Sequence, residues 1–166
     1  MKYTSTREDK ELLNFKQVTL KGLASDGGLY VPENWKRFNL KLTNRDITFE
    51  KTAYEIIKYF VGKSLDNQLL KKIISRSYKS FRNNEVTTLK QLDKNNYILE
   101  LYHGPTLAFK DIALQFLGNA FEVFLKKEKK KLTIIGATSG DTGSAAIDAV
   151  KNNKFSDIFI LHPYKR

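Results

Sequence analysis

The second half of the chain alternates short apolar runs with longer amphipathic segments, and this alternation constrains the fold more than any other feature. A β-α-β-α-β order is typical of a parallel sheet covered by helices and joined by right-handed crossovers. In such sheets, ligands bind at the carboxyl ends of the strands. The sequence therefore predicts an α/β fold, with strands near 97–101, 132–136 and 157–161 and helices near 110–127 and 142–151.

The first half is predicted to be a small helical unit. It begins with an extended piece, and a turn at Asp26–Gly28 precedes another extended piece at residues 29–31. Thr48 and Asp66 are suited to cap two amphipathic helices. Helices are expected over residues 15–23, 48–62 and 66–78. The polar stretch Arg82–Glu85 is the expected boundary, which gives domains 1–84 and 85–166, the second of them incomplete.

A lysine occupies an unusual position after the first of the predicted strands. The chain turns at Gly104–Pro105, and Lys110 follows where it enters the next helix, beside the apolar residues Leu107–Phe109. Apolar surroundings and the positive end of a helix dipole both disfavour an ammonium. A lysine amine without its proton can attack a carbonyl. An ordinary helix start, whose lysine reaches out to water, explains the same residues equally well, so both interpretations stay open on these grounds.

A second turn, Gly136–Ser144, is rich in Gly, Ser and Thr and lies between a β-branched strand and a helix. Backbone N–H groups at a helix N-terminus and nearby hydroxyls bind anions. The turn is not a Walker A loop, since no lysine follows Gly143, and Thr138 occupies a glycine position of the dinucleotide fingerprint. Asp141 as a simple helix cap is the alternative, but it leaves the hydroxyls unexplained. We therefore favour an anion site.

Three stretches together resemble one enzyme family. They are His103–Asp111 (HGPTLAFKD), Ala137–Ala146 (ATSGDTGSAA) and, upstream, Lys21–Pro32 (KGLASDGGLYVP). The set is similar to threonine synthase, a pyridoxal phosphate (PLP) enzyme of fold type II, and the motifs occur in the family's order. The upstream motif belongs to the family's N-terminal domain, where we expect a structural role; a common Asp-Gly-Gly turn is the alternative.

The resemblance implies a chemistry and assigns residues to it. Lys110 would hold PLP as a Schiff base and would move protons on and off the substrate carbons. The family converts O-phosphohomoserine and water to threonine and inorganic phosphate. Asp111 would support the lysine loop, with an ordinary first-turn carboxylate as the alternative. In the second turn, Thr138 and Asp141 would flank the cofactor, while the substrate carboxylate would be bound by Ser139, Gly140, Thr142 and Gly143.

The length departs from the family, whose enzymes are much longer. The later glycine-rich loop that grips the PLP phosphate is missing, as is the residue that faces the pyridine nitrogen. We therefore expect an N-terminal fragment that is inactive alone, produced by a trypsin-like cut after Arg166 or by a truncated gene. The unfinished sheet, with residues Ile158–Leu161 at its bare surface, is expected to cause self-association.

The amino-acid composition argues against several other classes of protein and of binding site. The absence of cysteine excludes disulfides and thiolate sites, and two histidines are too few for a usual metal cluster, so no metal is expected. No apolar run predicts a signal peptide or a membrane span, which favours a cytoplasmic setting. The net charge of +11 suggests nucleic acid, but the dense run Lys126–Lys131 closes a predicted helix, where cations complement the dipole. A non-catalytic relative that binds PLP or a phospho-ligand is the main alternative, and a basic nucleic-acid module is the weaker one.

Overall fold

The computed structural model describes residues 1–7, 9–37 and 47–164. Lys165 and Arg166, at the expected cut, lie outside the described residues. The chain forms two compact units, Met1–Lys72 and Ile73–Arg166, and the division falls within one helix. The expected domain boundary at residue 84 remains a prediction.

The first unit contains short strands and helices. Its elements are β1 (Tyr3–Ser5), α1 (Phe15–Lys21), β2 (Tyr30–Pro32), α2 (Phe49–Val61), a 3₁₀ turn (Gly62–Ser64) and the start of α3 (Asn67–Tyr78). The two extended pieces expected from the sequence pair with each other, because β1 runs antiparallel to β2 with Tyr3 opposite Pro32. The side chains of Tyr3, Leu13 and Val18 form the buried cluster of this unit.

Local capping defines where these helices begin. The Thr48 hydroxyl accepts a hydrogen bond from the Lys51 N–H, and the Asp66 carboxylate accepts one from Leu69 at 2.8 Å. Both caps confirm the expectation, since a side-chain oxygen satisfies a helix N–H that has no intrahelical partner. Helix α1 ends two residues earlier than predicted, because Gly22 takes a positive φ of 77°.

The second unit carries the α/β part of the chain. After α3 it contains β3 (Thr88–Gln91), β4 (Tyr97–Glu100), α4 (Asp111–Glu128), β5 (Leu132–Ala137), α5 (Asp141–Val150) and β6 (Ser156–Leu161). Strands β5 and β6 are parallel, with Leu132 opposite Ser156 and Ala137 opposite Leu161. Helices α4 and α5 approach closely at Gly118, where a side chain would collide with the Ala149 carbonyl. Lys126 and Lys127 lie in the last turn of α4, as expected.

The prediction that the strand near 97–101 joins the parallel sheet is wrong. Strand β4 instead pairs antiparallel with β3, with Thr88 opposite Glu100. The hairpin closes at Asp93, whose carboxylate accepts hydrogen bonds from the N–H groups of Asn95 and Asn96. Within the described ranges, the parallel sheet therefore has two strands, β5 and β6.

One face of the β5–β6 sheet is bare. Successive strand residues point to opposite faces, and Ile135, Phe159 and Leu161 share an outer face at 73%, 61% and 63% exposure. The opposite residues Ile158 and Ile160 are half-buried, and Ile160 lies near Gly143 of α5. The expected incomplete surface is confirmed for Phe159 and Leu161, whereas Ile158 and Ile160 belong to the covered face.

Candidate active site

The structure brings the lysine loop and the Gly/Ser/Thr turn together. Lys110 precedes the first residue of α4, and Asp141 is the first residue of α5. The Lys110 Nζ lies 3.5 Å from Oδ1 of Asp141, and 4.2 Å from the centre of the Phe109 ring. The expectation that both loops face one place therefore agrees with the geometry, even though β4 is not part of the parallel sheet.

The buried carboxylate of Asp111 holds the lysine loop in shape. Its side chain is 0% exposed and accepts two hydrogen bonds from Thr106, from the backbone N–H at 2.8 Å and from the hydroxyl at 2.7 Å. Gly104 packs so closely on this carboxylate that a Cβ would overlap it. Asp111 therefore supports the loop and also lies in the first turn of α4, so both interpretations of it apply.

The surroundings of Lys110 are apolar in part, as expected, but more exposed than the sequence suggests. Only Ala108 among its apolar neighbours is buried, while Leu107 and Phe109 are more than half exposed. Leu107 takes a φ of 63°, a left-handed conformation unusual for a branched side chain. The side chain of Lys110 is 30% exposed and faces a carboxylate. Lys110 is therefore half-buried, between the Phe109 ring and the Asp141 carboxylate.

The second turn presents polar groups at the N-terminus of α5. Ser139 and Gly140 are exposed, whereas Thr138 is half-buried and its hydroxyl accepts the Gly140 N–H at 3.3 Å. Gly143 is buried against Thr138, and an added Cβ there would come within 2.9 Å of the Thr138 methyl group. Thr142 is half-buried in the first turn of the helix. The first N–H groups of a helix have no intrahelical acceptor, so this turn is suited to an anion.

Asp141 does not cap the helix. Gly140 is the N-cap residue, and among the described residues no side chain forms a capping hydrogen bond there. The Asp141 side chain is 53% exposed and turns to Lys110 instead. The capping alternative for Asp141 is therefore wrong, because the helix begins one residue earlier than that alternative requires.

A cleft of about 360 Å³ lies at the carboxyl edge of the parallel strands. Its lining is Ala137, Thr138, Ser139, Leu161, His162 and Pro163. His162 was not predicted from the sequence as a site residue. Its position directly after the predicted strand 157–161 would have placed it at this edge, because parallel strands end on the same side of a sheet.

A second group of polar side chains comes from residues that precede the lysine loop in the chain. The Thr88 hydroxyl is 2.7 Å from Oε2 of Glu100 and 2.8 Å from Nε2 of His103. Hydrogen bonds from Thr88 and then from Tyr102 hold the pKa of the Glu100 carboxyl below its usual value, and a hydrogen bond from His103 and electrostatic attraction to it add to this. The hydrogen bond to Glu100 raises the pKa of Tyr102. Sequence reasoning missed this group because it did not find strand β3.

Among the described residues, no helix combines the length and the apolar character that a membrane crossing requires. The same part of the chain brings no three His, Cys, Asp or Glu side chains together in the manner of a metal site.

Comparison with known proteins gives a consistent set of relatives. A family model described as "Threonine synthase N terminus" matches residues 2–78. Threonine synthase of Pseudomonas aeruginosa is 47% identical over all of this chain, which covers 36% of that protein. A mouse protein named "Threonine synthase-like 2" is 39% identical over 98% of the chain and 34% of its own length.

Solved structures agree with this set. The crystal structure of PLP-bound threonine synthase from Brucella melitensis superposes with a TM-score of 0.94 and 40% identity, covering 100% of this chain and 36% of that one. Threonine synthase from yeast gives a TM-score of 0.90 and 42% identity, over 99% and 36% of the two chains. The chain therefore spans about a third of the length of the relatives that it matches. The resemblance inferred from the three motifs is confirmed for that N-terminal portion.

Proposed function

Since the chain corresponds over its whole length to the N-terminal portion of threonine synthases, we propose that it forms part of an enzyme that converts O-phosphohomoserine and water to threonine and phosphate. Such an enzyme is a PLP-dependent carbon–oxygen lyase of amino-acid biosynthesis. The observation that supports this most is the 3.5 Å approach of Lys110 to Asp141. This approach places the amine proposed as the nucleophile beside the turn proposed to bind an anion. The fold type II arrangement and a cytoplasmic location remain part of the proposal.

Lys110 is the proposed site of covalent attachment for PLP. Its amine is accessible, and the buried Asp111 fixes the loop that carries it. These residues fit a cofactor with an aldehyde and anionic groups. Once bound, PLP supplies the electron sink for substrate carbanions, and the protein supplies position and electrostatics. Lys110 then holds or returns protons at the substrate carbons.

The turn from Thr138 to Gly143 is the proposed substrate cradle. The hydroxyls of Ser139 and Thr142 and the backbone at Gly140 and Gly143 would bind the substrate carboxylate at the helix N-terminus. Thr138 and Asp141 would flank the cofactor, and Asp141 would also orient the Lys110 amine, which it already faces. The groups that hold the PLP phosphate and the pyridine nitrogen are assigned to the part of the family's chains that this one does not cover.

Chemical trapping tests the assignment of Lys110. The full-length protein is loaded with PLP, reduced with borohydride and digested, and the labelled peptide is mapped. We expect the label on Lys110 alone. Lys110→Arg should abolish labelling and turnover, since an arginine cannot make the covalent bond, whereas Lys126→Arg, at the far end of α4, should keep both. A label on any other lysine would refute the assignment.

A relative that binds PLP or a phospho-ligand without turnover is the second candidate. We retain this candidate because the chain also matches a protein that is named "Threonine synthase-like 2" rather than threonine synthase. Turnover of O-phosphohomoserine by the full-length protein separates the two candidates. Labelling of Lys110 without turnover would favour the non-catalytic one. The described residues alone are expected to be inactive in either case.

A further inference from the structure

Four side chains from residues that precede the lysine loop form a hydrogen-bonded cluster, and the proposed function gives them no role. We call Thr88, Glu100, Tyr102 and His103 the Thr88 cluster. Thr88 is on β3, Glu100 ends β4, and the other two begin the loop that leads to Lys110. The Thr88 hydroxyl lies between Oε2 of Glu100 and Nε2 of His103, and those two atoms are 3.4 Å apart. The rings of Tyr102 and His103 are packed at 4.8 Å between centres.

The proton positions in this cluster follow from counting donors. A threonine hydroxyl has one proton, and an ionised carboxylate only accepts. A glutamate carboxyl is ionised at neutral pH without any shift of its pKa. The Thr88 proton is therefore donated to Glu100 at 2.7 Å. Nε2 of His103 lies 2.8 Å from the same hydroxyl oxygen and 3.4 Å from Oε2 of Glu100. Both of these oxygens can only accept from it, so Nε2 carries the proton and donates it.

His103 is held by its backbone as well as by its ring. Its carbonyl accepts a hydrogen bond from the Arg82 N–H at 2.8 Å, and its side chain is 17% exposed. The next residue, Gly104, begins the turn that packs on Asp111. The loop of residues 104–110 is therefore anchored at its start by His103 and at its end by Asp111. Because the loop is short, the positions of both His103 and Asp111 determine where the Lys110 amine lies.

We propose that His103 is a positioning residue for Lys110, acting through the Nε2–H that Thr88 and Glu100 hold in place. The expected effect on catalysis rests on the proposed function, whereas the hydrogen bonds of His103 do not depend on it. Loss of the donor would let the start of the loop move, and this movement would reach the residue next to Lys110 because Gly104 packs directly on the Asp111 carboxylate. The Lys110 amine would then be misplaced relative to Asp141, and misplacement on the scale of 1 Å is costly in catalysis.

The proton position can be measured on this chain directly, because it contains two histidines. In ¹⁵N-labelled His162→Gln protein, the remaining imidazole is His103. We expect its neutral form to carry the proton on Nε2, and we expect Thr88→Val to lose that fixed form while Thr88→Ser keeps it. Asp93→Ala, in the turn of the same hairpin, should leave it unchanged. A neutral form protonated on Nδ1 would overturn the proposal.

The consequence is tested in the full-length enzyme by pairs of variants. In His103→Gln the side-chain amide replaces the Nε2–H donor, whereas His103→Phe keeps the ring and removes the donor. We expect His103→Phe to lower kcat about tenfold or more and to slow the borohydride trapping of PLP on Lys110. The KM for O-phosphohomoserine should stay within about twofold. His103→Gln should recover most of both rates.

The two outcomes of failure are distinct. If His103→Gln is as slow as His103→Phe, or if KM rises while kcat is kept, His103 does not position Lys110. If the parent enzyme does not turn over O-phosphohomoserine, the proposed function fails. The trapping rates and the ¹⁵N measurement still decide the role of His103 in that case.

Discussion

The Lys110 amine and the Asp141 carboxylate, which are 31 residues apart in the chain, lie 3.5 Å from each other. Each begins or directly precedes a helix, and each follows a turn that contains glycine. A cation and an anion at this distance attract, but a half-exposed pair contributes little to stability. The pair matters instead for position, because it holds the Lys110 amine beside a turn that is suited to bind an anion.

We predict that Ser139→Ala raises the KM for O-phosphohomoserine more than it weakens PLP binding in the full-length enzyme. Ser139 is exposed in the turn at the helix N-terminus, where its hydroxyl adds one donor to the backbone N–H groups. Loss of one hydrogen bond to a charged group corresponds to about 1.5–3 kcal/mol. Steady-state kinetics and a PLP absorbance titration measure the two effects. Ser144→Ala, at an exposed site further along α5, is the matched control.

The opposite pattern would contradict this assignment. Weakened PLP binding with an unchanged KM would mean that the turn binds the cofactor and that the substrate carboxylate binds elsewhere.

We predict that Asp111→Asn destabilises the second unit. Asp111 is fully buried and accepts from two donors of Thr106. An amide presents an NH₂ group to one of them, so one donor of the half-buried Thr106 loses its acceptor, at a cost of about 1–3 kcal/mol. Urea unfolding followed by circular dichroism measures the change. Asp157→Asn, at an exposed position of β6, should change stability very little, and equal effects of the two substitutions would refute this account.

Much of this arrangement can be predicted from the sequence where the determining interactions are local. Thr48 and Asp66 cap their helices through residues three positions ahead, and such spacings are visible in a sequence. The Lys110 loop and the turn around Asp141 were also predicted to meet, although the parallel pairing assumed for the strand before Lys110 does not occur.

The errors arise where the determining contact is remote or depends on a backbone angle. Strand β3 reads Thr-Leu-Lys-Gln, which lacks a clear apolar alternation, so the partner of β4 and the contacts of Glu100 and His103 were not found. Leu107 and Phe109, the apolar neighbours of Lys110, are more than half exposed, and Leu107 takes a left-handed φ of 63°. A count of apolar residues in the sequence reveals neither.

We predict that stability falls in the alkaline range through Tyr78. Burial raises the pKa of its hydroxyl from 10.0 to about 12, and this hydroxyl donates to the Ile112 carbonyl at 3.1 Å. Because the folded pKa lies above the unfolded one, its contribution is complete below pH 10 and is lost as the pH rises to about 12. A difference of two pKa units corresponds to about 3 kcal/mol.

The free energy of unfolding at a series of alkaline pH values measures this dependence. Burial raises the pKa of Tyr3 to about 12 as well, so Tyr78→Phe should reduce the loss of stability between these pH values without removing it. Tyr164→Phe, at an exposed tyrosine, is the control. If Tyr78→Phe leaves the alkaline slope unchanged, the hydroxyl of Tyr78 does not cause it.

We predict that residues 1–166 self-associate through the bare face of the β5–β6 sheet and bind PLP weakly. Ile135, Phe159 and Leu161 expose a contiguous apolar surface on neighbouring parallel strands, and such surfaces are typical of interaction sites. The net charge of +11 opposes association, so added salt should increase it by screening that repulsion. Phe159→Glu should reduce association, whereas Leu29→Glu, in the first unit at the same 61% exposure, should not. Light scattering at low and high salt, with a PLP absorbance titration, measures both properties, and a monodisperse monomer that binds PLP tightly would refute the prediction.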